Sequence, residues 1–206
     1  SVRHHDLRLD ATPPEGWGER FVLMGRFKRS LLSTHAGHFK DWSGQTYAWF
    51  PQVDVSQLRQ HVRLDAGINV AAGQGALRLW SDIQRGQWTG GVADVQLHGV
   101  NVRLGPQLPA LGFDSLSGRL GGRMTAKGFE AHTRDLAFVS AQGLVWPGGN
   151  VALRYSHPQP ARTAAAVTPA QGEIQADHLD LQALRELALR LPLPGPVRQQ
   201  LQAQDI

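Results

Sequence analysis

Residues 53–80, VDVSQLRQHVRLDAGINVAAGQGALRLW, hold the junction from which the organisation of the chain is read. Val53 and Val55 end a run with strand-like alternation, and Ser56-Gln57-Leu58-Arg59-Gln60-His61-Val62 takes up helical spacing. Ser56 is placed to cap the helix start, because its side-chain oxygen can accept from a backbone N–H left free in the first turn. Leu58 and Val62 lie four apart and share one face. A glycine-punctuated return leads into a second strand, Ala76-Leu77-Arg78-Leu79-Trp80. The predicted unit is strand, short helix, strand.

The same unit starts again near the C-terminus. Leu179-Asp180-Leu181-Gln182-Ala183-Leu184-Arg185 matches Val53-Asp54-Val55-Ser56-Gln57-Leu58-Arg59 in character, position for position. If the two are copies, the chain between them is one long repeat of a sheet-building module. The alternative is two unrelated strand-to-helix junctions.

Composition narrows the function classes. The 206 residues are 41% hydrophobic and 18% charged, ordinary for a folded protein with a core. The net charge of +4 is carried by scattered arginines rather than a basic run, so no nucleic-acid groove is expected. Cysteine is absent, which removes disulfides, thiolate metal sites and a cysteine nucleophile together. No apolar run is long enough for a membrane-spanning helix. The sequence begins at Ser1 without a signal-like segment and reads as a piece of something longer.

Taken in order, the chain is a succession of strand patterns. Val2 to Asp10 is one, followed by the turn-rich Thr12-Pro13-Pro14-Glu15-Gly16. Phe21, Leu23 and Phe27 keep period two around Gly25, and Gln45 to Phe50 gives another strand that Pro51 edges or ends. Arg85-Gly86 is a hairpin turn, and Val95 and Leu97 share a face. Val100, Val102 and Leu104 have the opposite parity, so Gly99 marks a bulge or a change of sheet. Pro106 and Pro109 make a loop, Leu116 and Leu120 flank Gly118, and Gly121-Gly122 is read as a turn before further strands from Met124 to Phe138. A turn cluster, 142–149, precedes the alternating Val151, Leu153 and Tyr155. Residues 157–169 form an exposed loop, 172–180 the final strand, 181–191 a helix, and a last short helix starts at Pro196. About eight to ten strands in meander order result, and runs of ten residues would make strands about 30 Å long. Such a sheet twists strongly and must close, pair with another sheet, or leave a concave apolar face.

Catalytic and metal signatures are weak. His35 and His38 have i, i+3 spacing but no Glu or Cys companion, and His4-His5-Asp6 sits at the terminus, so no metal is expected. There is no G-x-S-x-G elbow, Walker A or dinucleotide fingerprint. Asp82, Asp94 and Asp177 read as solvent-facing strand positions. Six tryptophans remain, of which Trp42 and Trp146 flank turns and Trp80 and Trp88 lie in β-runs. They either staple sheet edges to a core or form a rim that meets acyl chains. The chain is expected not to be an enzyme and to need no cofactor.

Several phrases in order carry a family resemblance: Asp41-Trp42-Ser43-Gly44-Gln45-Thr46-Tyr47-Ala48, the Val53 to Arg59 junction, Gly73-Gln74-Gly75-Ala76-Leu77-Arg78-Leu79-Trp80 and Gly143-Leu144-Val145-Trp146-Pro147. From Trp42 to Gln204 the sequence resembles the YhdP-type branch of the AsmA-like proteins of Gram-negative bacteria, with residues 1–40 fitting less distinctly. The resemblance implies a long periplasmic protein, held in the inner membrane by a helix outside this sequence. Its repeated antiparallel units would stack into a half-open β-groove that passes phospholipids between the inner and outer membranes. The implied partners are phospholipid acyl chains, the rest of the same longer chain, and the inner membrane through that anchor, with no nucleic acid.

The expectation is therefore a mainly β fold, one long, strongly twisted antiparallel sheet with two or three short α-helices. Residues 1–65 would end one β-groove module with a short closing helix, and 66–206 would form a second module ending in short helices. The apolar groove face is assigned to Leu77, Leu79, Val95, Leu97, Val151, Leu153 and Tyr155. The rival is a non-catalytic envelope assembly module with a closed β-sandwich core; a hydrolase on a β scaffold is the more distant one.

Overall fold

The computed structural model describes residues 2–30, 39–58, 69–160, 167–178, 180–188 and 190–191. The longer strands are β1 (Val2–Ala11), β2 (Phe21–Ser30), β3 (Trp42–Asp54), β4 (Asn69–Gln84), β5 (Gln87–Arg103), β6 (Leu111–Thr125) and β7 (Gly128–Ser140). After them come β8 (Val145–Trp146), β9 (Val151–Ser156), β10 (Gln159–Pro160), β11 (Val167–Thr168) and β12 (Gln171–Ala176). The helices are a 3-10 turn at Phe39–Asp41, α1 (Val55–Leu58) and α2 (Leu181–Ala188). One ten-stranded antiparallel sheet runs β1-β2-β3-β4-β5-β6-β7-β9-β12, with β8 paired to β7 alone, while β10 and β11 make a separate two-stranded arm. β1 and β12 stay at opposite ends, so the sheet is open. Among the described residues no second sheet faces it. β3 pairs with β4, with a register shift between Phe50 and Val53, and the boundary expected at residues 65–66 lies outside the described residues.

Local chemistry explains the hairpins. Arg85 and Gly86 both have positive φ, 51° and 71°, the combination whose twist suits a two-residue hairpin between β4 and β5. The expected turn at Gly121-Gly122 is not there. Both glycines lie inside β6, paired to Val92 and Gly91 on one side and to His132 and Ala131 on the other. Leu116, Leu120 and Met124 keep one parity through them, and the chain reverses after Thr125 instead. A Cβ on Gly121 would run into the His132 imidazole, so this glycine makes room for a neighbour's ring rather than for a turn. Pro51 does not end its strand either. β3 continues to Asp54, and a register shift between Phe50 and Val53 spares the proline a ladder bond.

Gly99 is a bulge, as its phase slip predicted. Gln74 pairs with His98 but Ala72 pairs with Asn101, and Gly99 has φ +58°. Irregularities at Phe50/Val53 on β3 and at Phe113/Ser115 on β6 fall in line with it across the sheet. The slip returns the apolar residues to one side: Val102 and Phe113 pack against the same cluster as Leu116 and Phe138.

That cluster is the principal core. Leu111 and Phe138 from the sheet, Trp146 from β8, and Ala183 and Leu187 from α2 are buried together, Leu111 to 2% and Ala183 to 0% exposure. Phe113 meets Phe138 edge-on at 5.2 Å, and Phe138 stacks on Trp146 at 6.0 Å. Asp180 Oδ1 accepts from Ala183 N at 2.9 Å and caps α2. At α1 the equivalent acid, Asp54, accepts from Ser56 N at 2.9 Å and from Ser56 Oγ at 2.6 Å. The expected cap, Ser56, is thus a donor, and the repeated aspartate of the two matching phrases performs the capping in both places. α1 extends only to Leu58 within the described residues, and residues 59–62 lie outside them, as do His35, His38 and the helix expected from Pro196. α2 is described to Ala188, residue 189 lies outside the described residues, and Arg190 N and Leu191 N both donate to Leu187 O.

Stability should concentrate in this cluster. Phe138→Ala is expected to cost about 3–5 kcal/mol, because a well-packed ring leaves a cavity. Ile174→Ala on β12, where the side chain is 51% exposed, should cost less than about 0.5 kcal/mol. Urea unfolding of both variants reads the difference as a shift in midpoint at unchanged slope.

Candidate functional site

Antiparallel partners share a face, so the register reads each face of the sheet as rows running across the strands. The row through Leu79 takes one residue from each strand: Leu9, Leu23, Ala48, Leu79, Ala93, Leu120, Thr133, Val151 and Ala176. It contains one hydroxyl and no charge. The next row on the same face is Leu7, Gly25, Thr46, Ser81, Gly91, Gly122, Ala131, Leu153 and Ile174, again uncharged. Its middle is made of small residues and its ends of large apolar ones. Eight inter-strand steps of about 4.8 Å give each row a length of roughly 38 Å.

All seven groove candidates lie on this one face. Leu77 pairs with Val95, Leu97 pairs with Leu116, and Leu79 reaches Val151 through the shared row. Leu153 and Tyr155 follow Val151 along β9, and the Tyr155 ring meets Phe129 of β7 at 5.4 Å. Each of the seven is half-buried, and none is sealed in a core. The row ends are barer: Leu7, Leu9 and Ile174 are 56%, 51% and 51% exposed. Apolar surface left open along a sheet makes this face the candidate binding surface. α2 covers the same face at one end only, through Leu111, Phe138 and Trp146.

The opposite face is charged and ordered. A ladder runs Arg123, Glu130, Arg154, Glu173 across β6, β7, β9 and β12, with contacts of 2.7, 3.2 and 3.3 Å. Arg119 grips Asp94 with two bonds of 2.5 and 2.9 Å, and its guanidinium lies 5.8 Å from the Trp80 ring. Asp94 was expected to face solvent; it is half-buried and paired. Asp82 and Asp177 are exposed as expected, and Asp177 accepts from the backbone and side-chain nitrogens of Asn150 at 2.8 Å each. The hydrogen bond from Arg119 holds the Asp94 carboxyl below the usual carboxylate range, and Arg123, then Arg154, do the same for Glu130. A hollow of about 800 Å³ lies between Asp6 on β1 and His132 on β7, walled by residues of this charged side and lined also by Gly25, Thr46, Ser81, Gly91 and Gly122 of the small-residue row. Among the described residues no group of three or more His, Asp or Glu is placed to hold a metal ion.

Sequence reasoning missed the small-residue row and the hollow. Cross-strand register assembles both, and residues as distant as Gly25 and Gly122 carry no local sign of sharing a row. The glycine pairs Gly90-Gly91 and Gly121-Gly122 were the available signal, since adjacent glycines inside two strands thin the sheet at one place.

A family model described as YhdP protein matches residues 1–205, including the first forty residues, where the sequence phrases were least distinct. No curated protein and no solved structure gives a match to the chain.

The paired carboxylates set a direction for acid sensitivity. Asp94 and Glu130 titrate lower folded than unfolded, so their contribution is complete above the unfolded values of about 4 and is lost as pH falls through the folded ones. Asp94→Asn should flatten the loss of stability between about pH 5 and pH 3, measured by urea midpoints at each pH.

Proposed function

Because the chain belongs to the YhdP family, we propose that it is a segment of a cell-envelope lipid conduit whose two uncharged rows, on one face of the sheet, carry phospholipid acyl chains. The observation that carries this reading is the pair of uncharged rows crossing all nine strands of the path. A hydrocarbon chain needs continuous apolar contact and no reacting group, and each methylene it buries contributes about 0.8 kcal/mol. The rows are roughly 38 Å long, against a hydrocarbon core of about 30 Å for two leaflets of tails, so they accommodate about two tails end to end. Half-buried side chains give moderate grip all along the face rather than one tight site. That suits passage.

An open single sheet favours this reading over the closed sandwich module. It also fits a non-enzymatic role, with the headgroup left in solvent at the rim. The conduit would lie in the periplasm of a Gram-negative cell and be held in the inner membrane by a helix elsewhere in the longer chain. No described helix here is long and apolar enough to cross a membrane. Among the described residues no strand pairs with the outer edges of β1 and β12, and strands from the rest of the same chain are their natural partners.

Photo-crosslinking in cells tests the reading. With the crosslinker placed singly in the full-length protein, Leu79 and Leu153 should yield phospholipid adducts, and their strand neighbours Arg78 and Arg154 should not. Adducts at none of the four, in a protein that still accumulates, would overturn the conduit. Leu79→Asp should then remove function in an envelope-permeability assay while leaving the protein folded, since the position is half-exposed.

A further inference from the structure

We propose that the hollow on the charged face is a binding site for an extended, neutral oligosaccharide chain. It is separate from the acyl face and independent of the conduit reading. The hollow crosses seven strands, from Asp6 on β1 to His132 on β7. It spans about 29 Å of inter-strand distance, with a volume of about 800 Å³. That length suits an extended chain.

Along the trough runs a row that is out of place on a charged face: Met24, Tyr47, Trp80 and Val92, side by side on β2, β3, β4 and β5. Trp80 is 37% exposed. Tyr47 lies 5.5 Å from it at a 53° tilt, and the guanidiniums of Arg119 and Arg78 hold its ring at 5.8 and 6.0 Å. Flat aromatic surface presented beside polar groups suits a ring with an apolar C–H face and hydroxyl edges.

The neighbouring row supplies those polar groups as pre-set pairs. Arg26 donates to Asp6 at 3.1 Å, Gln45 to Asp82 at 2.9 Å, and Arg123 to Glu130 at 2.7 Å. Each pair keeps spare lone pairs or N–H groups, and a hydroxyl, being donor and acceptor at once, can use both kinds. Because the pairs already fix these side chains, little rotamer freedom is lost on binding. The carboxylates Asp6, Asp82 and Glu130 are balanced by Arg8, Arg26 and Arg123, so the lining offers no net field to a phosphate or a cation.

An extended peptide fits less well. To bind by strand addition it needs free backbone groups along the trough, but the trough crosses the strands, whose own backbone groups are committed to the sheet ladders. A saccharide has no such requirement.

Titration calorimetry on the purified full-length protein with cellohexaose and chitohexaose tests the site. At least one should bind with sub-millimolar affinity, weakened about tenfold or more by Trp80→Leu and by Asp82→Asn, while Trp80→Tyr retains binding. Far-UV circular dichroism and the urea midpoint separate these effects from misfolding, and Leu79→Asp on the other face should leave the affinity unchanged. The proposal fails if neither sugar binds at about 10 mM, or if binding ignores both trough variants. It also fails if a salt-sensitive heparin hexasaccharide or an extended unstructured peptide occupies the trough more tightly than the neutral sugars.

Discussion

The backbone ladder between successive strands is the interaction on which this molecule rests. A sheet that neither closes nor packs against a second sheet has few places to bury side chains. Only eight apolar residues are buried in the described structure, and five of them sit in the single cluster under α2. Elsewhere each inner strand is held by its two neighbours, and β1 and β12 by one. Most of the register is unbroken over long runs, ten consecutive pairs between β1 and β2 for example. With so little core, register is what fixes which side chains share a row. A one-residue slip would mix the two faces.

Those faces divide the chemistry. On one, rows such as Leu79-Ala93-Leu120 exclude charge altogether, and on the other, ion pairs such as Arg119–Asp94 and Arg123–Glu130 tie adjacent strands from outside. Exposed ion pairs add little stability individually. Their arrangement across strands opposes slippage, because moving one strand by two residues would break every rung it shares. The charged face therefore supports the register that the proposed acyl face needs. The line of bulges through β3 to β6 adds the complementary device, bending adjacent strands together while returning Val102 and Phe113 to the apolar side.

Period-two alternation made most strands legible, including the Gly99 phase slip and the Arg85-Gly86 turn. It failed where glycine and proline were read as punctuation. Gly121-Gly122 and Pro51 lie inside strands, because a glycine can serve a neighbour's ring and a bulge can absorb a missing N–H. The seven groove candidates share one face in the register, since parity within a strand is a local property. Which strands they share rows with is not local, so the small-residue row and the trough stayed hidden. The match between residues 53–59 and 179–185 carried more than it showed: its aspartates cap both helices, although Ser56 had looked the better candidate.

Strand order in space follows strand order in sequence from β1 to β7. Each strand therefore finds its partner in the segment made just before it, and no pairing waits for a distant part of the chain. Loop-closure entropy stays small at every step, so the topology allows growth by addition, one hairpin after another. A chain delivered end first across a membrane could take up its structure as it emerges, with a single unsatisfied edge advancing along it. Such an edge is the feature most exposed to mispairing, and it is longest-lived wherever the next strand is slow to arrive.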